Sequence, residues 1–210
     1  MYIRCGECGK VSEAKEVASF ARYECKNCGK TNEILNVTVK EWLGFNYRKY
    51  LQAIIDVINK DTFENLAAET PEDIKLGYLS SKQIDSLKEV FKDGFEKGST
   101  ISEIRENIRN EVKVKDLILD KETGRFIPKE FREISITRTE TTRLANEGSR
   151  EHYKDGGVQQ YRWVATLSER ICLICEDLNG QIFDINAEEA PPAHSLCRCT
   201  IIPITELDRF

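Results

Sequence analysis

Long hydrophobic runs are missing from this chain of 210 residues: no stretch approaches the roughly 18 consecutive apolar residues that a membrane-spanning helix needs. The N-terminus, Met1 to Gly6, has neither an apolar signal core nor a small-residue cleavage site, which points to synthesis as a soluble, cytosolic protein. A basic excess is missing as well. The 31 Lys and Arg are outnumbered by 36 Asp and Glu, leaving a formal charge of −5, so the chain is not a duplex-coating protein and any nucleic-acid contact has to be local. Glycine and proline are sparse, at 12 and 5, while 40% of residues are hydrophobic, which excludes compositional disorder. The length suits one ordinary domain, or a medium domain with a small appendage.

What the chain does have is eight cysteines, in two clusters separated by a long cysteine-free stretch. In a reducing compartment such clusters read as metal sites before disulfides. The first is Cys5-Gly-Glu-Cys8 with Cys25-Lys-Asn-Cys28, two C-x-x-C pairs sixteen residues apart. Four thiolates satisfy tetrahedral zinc, and a two-residue spacer lets each pair chelate from one tight turn. Residues 1–36 are therefore read as a zinc ribbon with a structural metal. A segment so short buries too little to fold alone, and metal binding, worth about 10 to 16 kcal/mol in zinc-finger peptides, would carry its stability.

Residues 37–128 read as a helical region. Tyr47, Tyr50, Leu51, Ile54, Ile55 and Ile58 form one apolar stripe, and Ile84, Leu87, Phe91 and Phe95 another. Thr70-Pro71 with Asp73 is a helix start, Gly98 a C-terminal cap, and Thr100 with Glu103 a capping box opening the helix that holds Ile101, Ile104 and Ile108. Gly124 and Pro128 mark a loop or short hairpin between 112 and 130.

Residues 129–210 read as α+β. A long helix from about Lys129 to Lys154 is stopped by Asp155-Gly156-Gly157 and carries an unusually polar, small-residue face: Ile134, Arg138, Thr141, Thr142, Ala145 and Ser149. Such a face, bearing Arg138 and Thr142, wants buried partners: the loop of the second cysteine cluster, or a hydrogen bond from Arg138 to that loop's carbonyls. Arg143 and Glu147 are spaced as a surface ion pair. Period-two alternation through Tyr161, Trp163 and Ala165 predicts a strand, and Asn179-Gly180 a tight hairpin.

The second cluster is Cys172-Leu-Ile-Cys175 followed by His194-Ser-Leu-Cys197-Arg-Cys199, five candidate ligands for the four places of a zinc ion. Which of Cys197 and Cys199 is spare is not fixed by the spacing. Four protein ligands make a structural staple; three plus water make a Lewis acid, for which Glu140, Glu147, Glu169, Glu176 and Asp177 are nearby candidates as general base. None of these sits in an H-E-x-x-H motif, and His152, the other histidine, reads as a surface or packing residue.

The order Arg138-Thr139-Glu140, Tyr161-Arg-Trp163, Arg170-Ile-Cys172, Cys175, Asn179-Gly180 and Pro191-Pro192-Ala-His194-Ser-Leu-Cys197-Arg198-Cys199 resembles the phage Mu F-like minor head protein family, from about Ile134 to Pro203 and more loosely from about residue 80. The family's motif positions carry over as Arg138, Thr139, Glu140, Trp163, Arg170, Cys172, Cys175, Gly180, Pro192, His194, Cys197, Arg198 and Cys199. Two positions depart from the usual pattern: Glu169 stands where Asp is common, and Ser195 where Pro is common. The resemblance implies a structural protein of head morphogenesis, present in a few copies, associated with the portal or capsid proteins and influencing DNA packaging or ejection. DNA is a further candidate partner on that resemblance, and the implied location is the host cytoplasm during assembly and then the head interior. Residues 1–36 resemble small phage zinc-ribbon proteins of the Com type, which implies protein or nucleic-acid contact. Two readings from other classes stand beside this one: a zinc-dependent hydrolase or nuclease using the 172–199 cluster, and a nucleic-acid-binding regulator acting through the ribbon.

Overall fold

The computed structural model describes residues 2–4, 11–13, 21–24, 31–34, 39–121, 123–166 and 171–204, with side chains from Tyr47 onward. The chain divides into two compact units, Met1–Tyr47 and Arg48–Phe210. In the first, strands β1 (Tyr2–Arg4) and β2 (Val11–Glu13) pair antiparallel, as do β3 (Ala21–Glu24) and β4 (Thr31–Ile34). The four cysteines read as the first zinc site, Cys5, Cys8, Cys25 and Cys28, lie outside the described residues. So does Arg170.

Helix α1 (Val39–Lys60) leads into the second unit, where α2 (Pro71–Leu76), α3 (Ser81–Lys97), α4 (Ile101–Asn107) and α5 (Lys129–Asp155) follow. The starts are set by side chains that satisfy otherwise orphaned backbone N–H groups. The Thr70 hydroxyl accepts from Asp73 N while the Asp73 carboxylate accepts from Thr70 N, and Thr100 with Glu103 repeats the arrangement at α4. Gly98 ends α3 in the left-handed region at φ 66°. After Asn107 the coil widens into one π-helical turn, Ile108–Val112, which keeps Ile108 and Val112 in the core.

The main core joins these helices through Ile54, Ile58, Phe63, Leu87, Phe91, Ile104, Ile108, Ile136 and Leu144, all buried. The apolar stripe expected on α1 is narrower than its sequence pattern: Ile54 and Ile58 are fully covered, Tyr50 and Val57 pack at the edge, and Tyr47 is 49% exposed. The narrowing has a steric counterpart. α1 crosses α5 at Gly148, where an added Cβ would stand 2.3 Å from Ile54 Cγ1 and 3.0 Å from its Cα, so backbone approaches backbone without an intervening side chain. A buried charge also ties the π turn to α5: Glu133, with no exposure, accepts both Nε and Nη2 of Arg109 at 3.0 and 2.8 Å.

Between the π turn and α5 the chain makes a short hairpin, with Leu117 and Ile127 exchanging backbone hydrogen bonds at 2.9 and 2.8 Å. Beyond α5 lies a three-stranded antiparallel sheet ordered β6-β5-β7, from β5 (Gln160–Val164), β6 (Ile182–Asp184) and β7 (Thr200–Ile204). Tyr161 and Trp163 share its buried face, as period two requires. The Asn179-Gly180 pair is not a tight hairpin. It joins a short helix, α6 (Leu173–Leu178), to β6, and β5 pairs with β6 across that excursion. The Asn-Gly signal is the same because Gly180 adopts φ 83° there, and its N–H donates to Trp163 O at 2.8 Å.

Gly148→Ala is expected to lower stability by about 1 to 3 kcal/mol, because the added methyl meets Ile54 backbone that cannot rotate away. Urea unfolding checks it, and an unchanged midpoint would remove the close helix crossing from the account.

Candidate metal centre

Helix α6 exists in order to start at Cys172. The Cys172 sulfur caps it, accepting Cys175 N at 3.4 Å, so the C-x-x-C spacer is the first turn of a helix and both thiols face the same way. The turn is strapped to the end of β5, with Ala165 N donating to Asn179 Oδ1 at 3.0 Å and Trp163 N to Gln181 O at 2.9 Å. Opposite stands the 191–199 arm. His194 Nε2 lies 3.2 Å from Cys172 Sγ and 3.1 Å from Cys175 Sγ, and Cys175 Sγ lies 3.7 Å from Cys197 Sγ. The five donors form two triads, Cys172-Cys175-His194 and Cys175-Cys197-Cys199, that share Cys175.

Second-layer contacts orient these donors. His194 Nδ1 is 2.8 Å from Ser195 O, and a carbonyl can only accept, so Nδ1 carries the proton and Nε2 keeps its lone pair for a metal. Cys199 N donates to Cys197 Sγ at 3.5 Å, the counterpart of the bond that Cys172 receives. The Cys175 N–H lowers the Cys172 thiol below its ordinary value. At Cys197 burial pushes upward, and the N–H groups of Cys199 and Ala193 outweigh it. Burial leaves Cys175 and Cys199 raised; for Cys199 the Trp163 indole offsets part of the effect, although its buried N–H closes no hydrogen bond of ordinary geometry. Trp163, Ala165, Cys175, Cys197 and Cys199 together make a second small core, so the sulfurs do packing work as well.

The polar face of α5 finds its partners here. From Ser135 to Arg150, residues one or two turns apart reach the arm: Ser135 Oγ is 2.6 Å from Ser195 Oγ, Thr139 Oγ1 accepts Leu196 N at 3.0 Å, and Thr142 Oγ1 donates to Cys197 O at 3.3 Å. Asn146, 4% exposed, donates to Cys199 O at 3.1 Å and accepts Ile201 N at 3.0 Å; Arg150 donates to Ala187 O at 2.9 Å. The expectation for Thr142 holds. The expectation for Arg138 does not: its side chain is exposed and makes no hydrogen bond or ion pair among the described residues, because the ladder falls on the neighbouring helical face. Thr139 and Asn146 were not singled out for this role by sequence. An asparagine inside a long helix, a residue that competes with helical hydrogen bonding, was the available signal for the second.

The other motif residues fall in several places. Glu140 is buried and pairs with Arg143 at 2.6 Å; Arg143 also holds Glu147 at 3.3 Å and Asp61, and lies over the Phe63 ring. The expected Arg143-Glu147 pair is thus one edge of a three-carboxylate cluster. Burial raises Glu140 despite its arginine, and lowers Arg143 less than its three carboxylates raise it. Trp163 belongs to the sheet, Gly180 to the turn between α6 and β6, Pro192 follows a cis bond in the arm, and Arg198 is exposed while its carbonyl accepts Thr166 Oγ1 at 2.9 Å. His152 sits in the last turn of α5, away from the donor set.

The donor chemistry fits zinc. Two sulfurs each about 2.3 Å from a tetrahedral zinc stand about 3.8 Å apart, close to the Cys175-Cys197 separation, and a thiolate-rich set with one imidazole suits that ion.

Against known proteins, a family model described as "Phage Mu protein F like protein" matches residues 85–202. The matched stretch runs from α3 through β7 and contains every donor of this cluster. Among curated proteins and among solved structures nothing matches.

Asn146→Ala removes the contacts to Cys199 O and Ile201 N together and leaves both buried. It is expected to cost about 2 to 4 kcal/mol, read as a loss of thermal stability with helix content retained at low temperature. A change under about 0.5 kcal/mol would mean that the arm is held by other means.

Proposed function

The chain belongs to the phage Mu protein F like family, whose model covers more than half of its residues, and from that premise we propose that it is a minor head protein acting inside the assembling particle. The observation that carries this reading is the single family match spanning α5, the sheet and the donor cluster. Its partners in this reading are portal or capsid proteins, and its contribution is to the packaging or release of DNA. The two N-terminal strand pairs, with Cys5, Cys8, Cys25 and Cys28, supply a second structural zinc and a docking module.

At the C-terminal cluster the proposed zinc ligands are Cys172, Cys175, His194 through Nε2, and Cys197. Support for Cys197 over Cys199 comes from its 3.7 Å approach to Cys175 and from the N–H it accepts, which favours a thiolate. Cys199 is followed at once by β7, and its carbonyl is held by Asn146, so its backbone has little room to adjust to a metal. Four protein ligands leave no open position for water, which favours a staple over a catalyst. Two carboxylates named as general bases, Glu140 and Glu147, are engaged by Arg143.

Mass spectrometry of gradient-purified heads, from cells expressing the neighbouring head genes, tests the role. A few protease-protected copies per particle are expected, and complete absence from immature and mature particles would overturn it. Metal analysis of the full chain should give about two zinc per chain, falling by about one in Cys197→Ser and unchanged in Cys199→Ser. Equal loss in both variants would reject the ligand assignment.

A further inference from the structure

Four of the exposed large hydrophobic side chains fall within fourteen residues of chain, on the hairpin and the start of α5. Ile118, Leu119 and Phe126 on the 117–127 hairpin are 57%, 46% and 59% exposed, and Phe131, in the first turn of α5, is 58% exposed. The bond pattern that joins Leu117 to Ile127 sets Ile118 opposite Phe126, on the face of the hairpin turned away from buried Leu117. These side chains are displayed on a fixed support. Ile118 N donates to Leu76 O at 2.8 Å, Lys121 N to the Tyr78 hydroxyl at 2.8 Å, and Lys129 N to Asp116 Oδ1 at 2.7 Å. Folding alone gives no reason to hold large apolar groups in water on a pinned hairpin, and rigid apolar display is what an interface uses.

Phe131 also lines a cleft of about 450 Å³ between the 64–69 loop, the Leu117-Ile127 face of the hairpin and the first three turns of α5, with Ser195 of the metal arm in its lining. Its apolar lining is Leu66, Leu117, Ile127, Phe131 and Ile136. Its charged lining is four carboxylates, Glu64, Glu69, Asp120 and Glu140, against two cations, Lys121 and Arg132. Both cations are already engaged: Lys121 pairs with Asp73 at 3.3 Å and Glu69 at 3.8 Å, and Arg132 donates to the carbonyls of Gly77 and Lys115. Glu140, also in the lining, belongs to the cluster in which Asp61, Glu140 and Glu147 share the one guanidinium of Arg143. The lining thus holds two more carboxylates than cations, and neither cation is free to meet a phosphate, which sets nucleic acid aside for this face.

We infer that this cleft, with the exposed Phe131 in its lining, is a docking site for a protein segment in which Lys or Arg stands next to aliphatic or aromatic residues, on another protein of the phage head. The cation meets the carboxylates of the lining, and the apolar neighbours cover Phe131. Desolvated opposite charge fixes register, and the apolar contact excludes water around it. The partner's class rests on the minor-head reading above; the chemistry of the segment rests on the cleft.

The experiment places a photoreactive benzoyl-phenylalanine at position 131 of the full chain, expressed with the head genes beside it, and sequences the cross-linked peptide from purified particles. The expected peptide comes from a different head protein and contains Lys or Arg beside apolar residues. Its yield should fall about tenfold in Glu64→Lys with Glu69→Lys, as the loss of about one desolvated charge contact would give. Both substituted positions are exposed, and an unchanged melting temperature confirms that the fold is kept. A peptide from a second copy of this chain, an acidic or purely polar peptide, no cross-link, or a yield indifferent to charge reversal would overturn the inference while particle incorporation stands. Absence of the chain from particles would overturn the minor-head reading and this one together.

Discussion

The C-terminal half depends on a polar seam between α5 and the 194–201 segment. A helix usually buries apolar side chains, and for this one the apolar contact is confined to residues such as Ile136 and Leu144 on the face toward the helical core. The adjoining face presents Ser135, Thr139, Thr142 and Asn146, and each meets a hydroxyl, N–H or carbonyl of the arm that carries His194, Cys197 and Cys199. Hydrogen bonds to a backbone fix its position along the helix as well as its distance, which apolar packing does not. The donors of the candidate metal site are thereby held opposite Cys172 and Cys175, and zinc in the proposed role would lock the same backbone from its other side.

Two further features serve that placement. Gly148 lets α1 approach α5 closely from the side of the helical core, so α5 is fixed from behind while its polar face holds the arm. The sheet fixes the far side. β5 runs between β6 and β7, Trp163 lies under the cysteines, and the Tyr161 hydroxyl donates to Glu189 O in the segment leading to the arm. The second core is small, and three of its buried members are cysteines, which is why the proposed metal bears on stability more than on chemistry.

Much of this was legible in the residues. Capping boxes at Thr70 and Thr100, the α3 stripe and the alternation at Tyr161 and Trp163 are local patterns, and local patterns determine local structure. The C-x-x-C and His/Cys spacing likewise anticipated that Cys172, Cys175, His194, Cys197 and Cys199 come together, because chelation requires short, fixed separations. What the residues did not disclose is long-range. Arg138 and Thr139 are neighbours in sequence, and only the rotation of α5 against the arm decides that Thr139 bonds Leu196 while Arg138 faces water. Asp61 joins the Arg143 cluster across 82 positions of chain, and no pattern within α5 announces it. Asn179-Gly180 carried a correct turn signal attached to the wrong pair of elements, since a turn dipeptide does not say whether a helix or a strand precedes it.

Hydrogen exchange of the full chain with and without a strong zinc chelator tests the coupling of metal to seam most directly. The account predicts that chelation speeds exchange at the amides of Leu196, Cys197, Cys199 and Ile201 together, the groups bound by Thr139, His194, Cys197 and Asn146, while the amides of α3 and α4 keep their protection. Unchanged exchange at those four amides would contradict it.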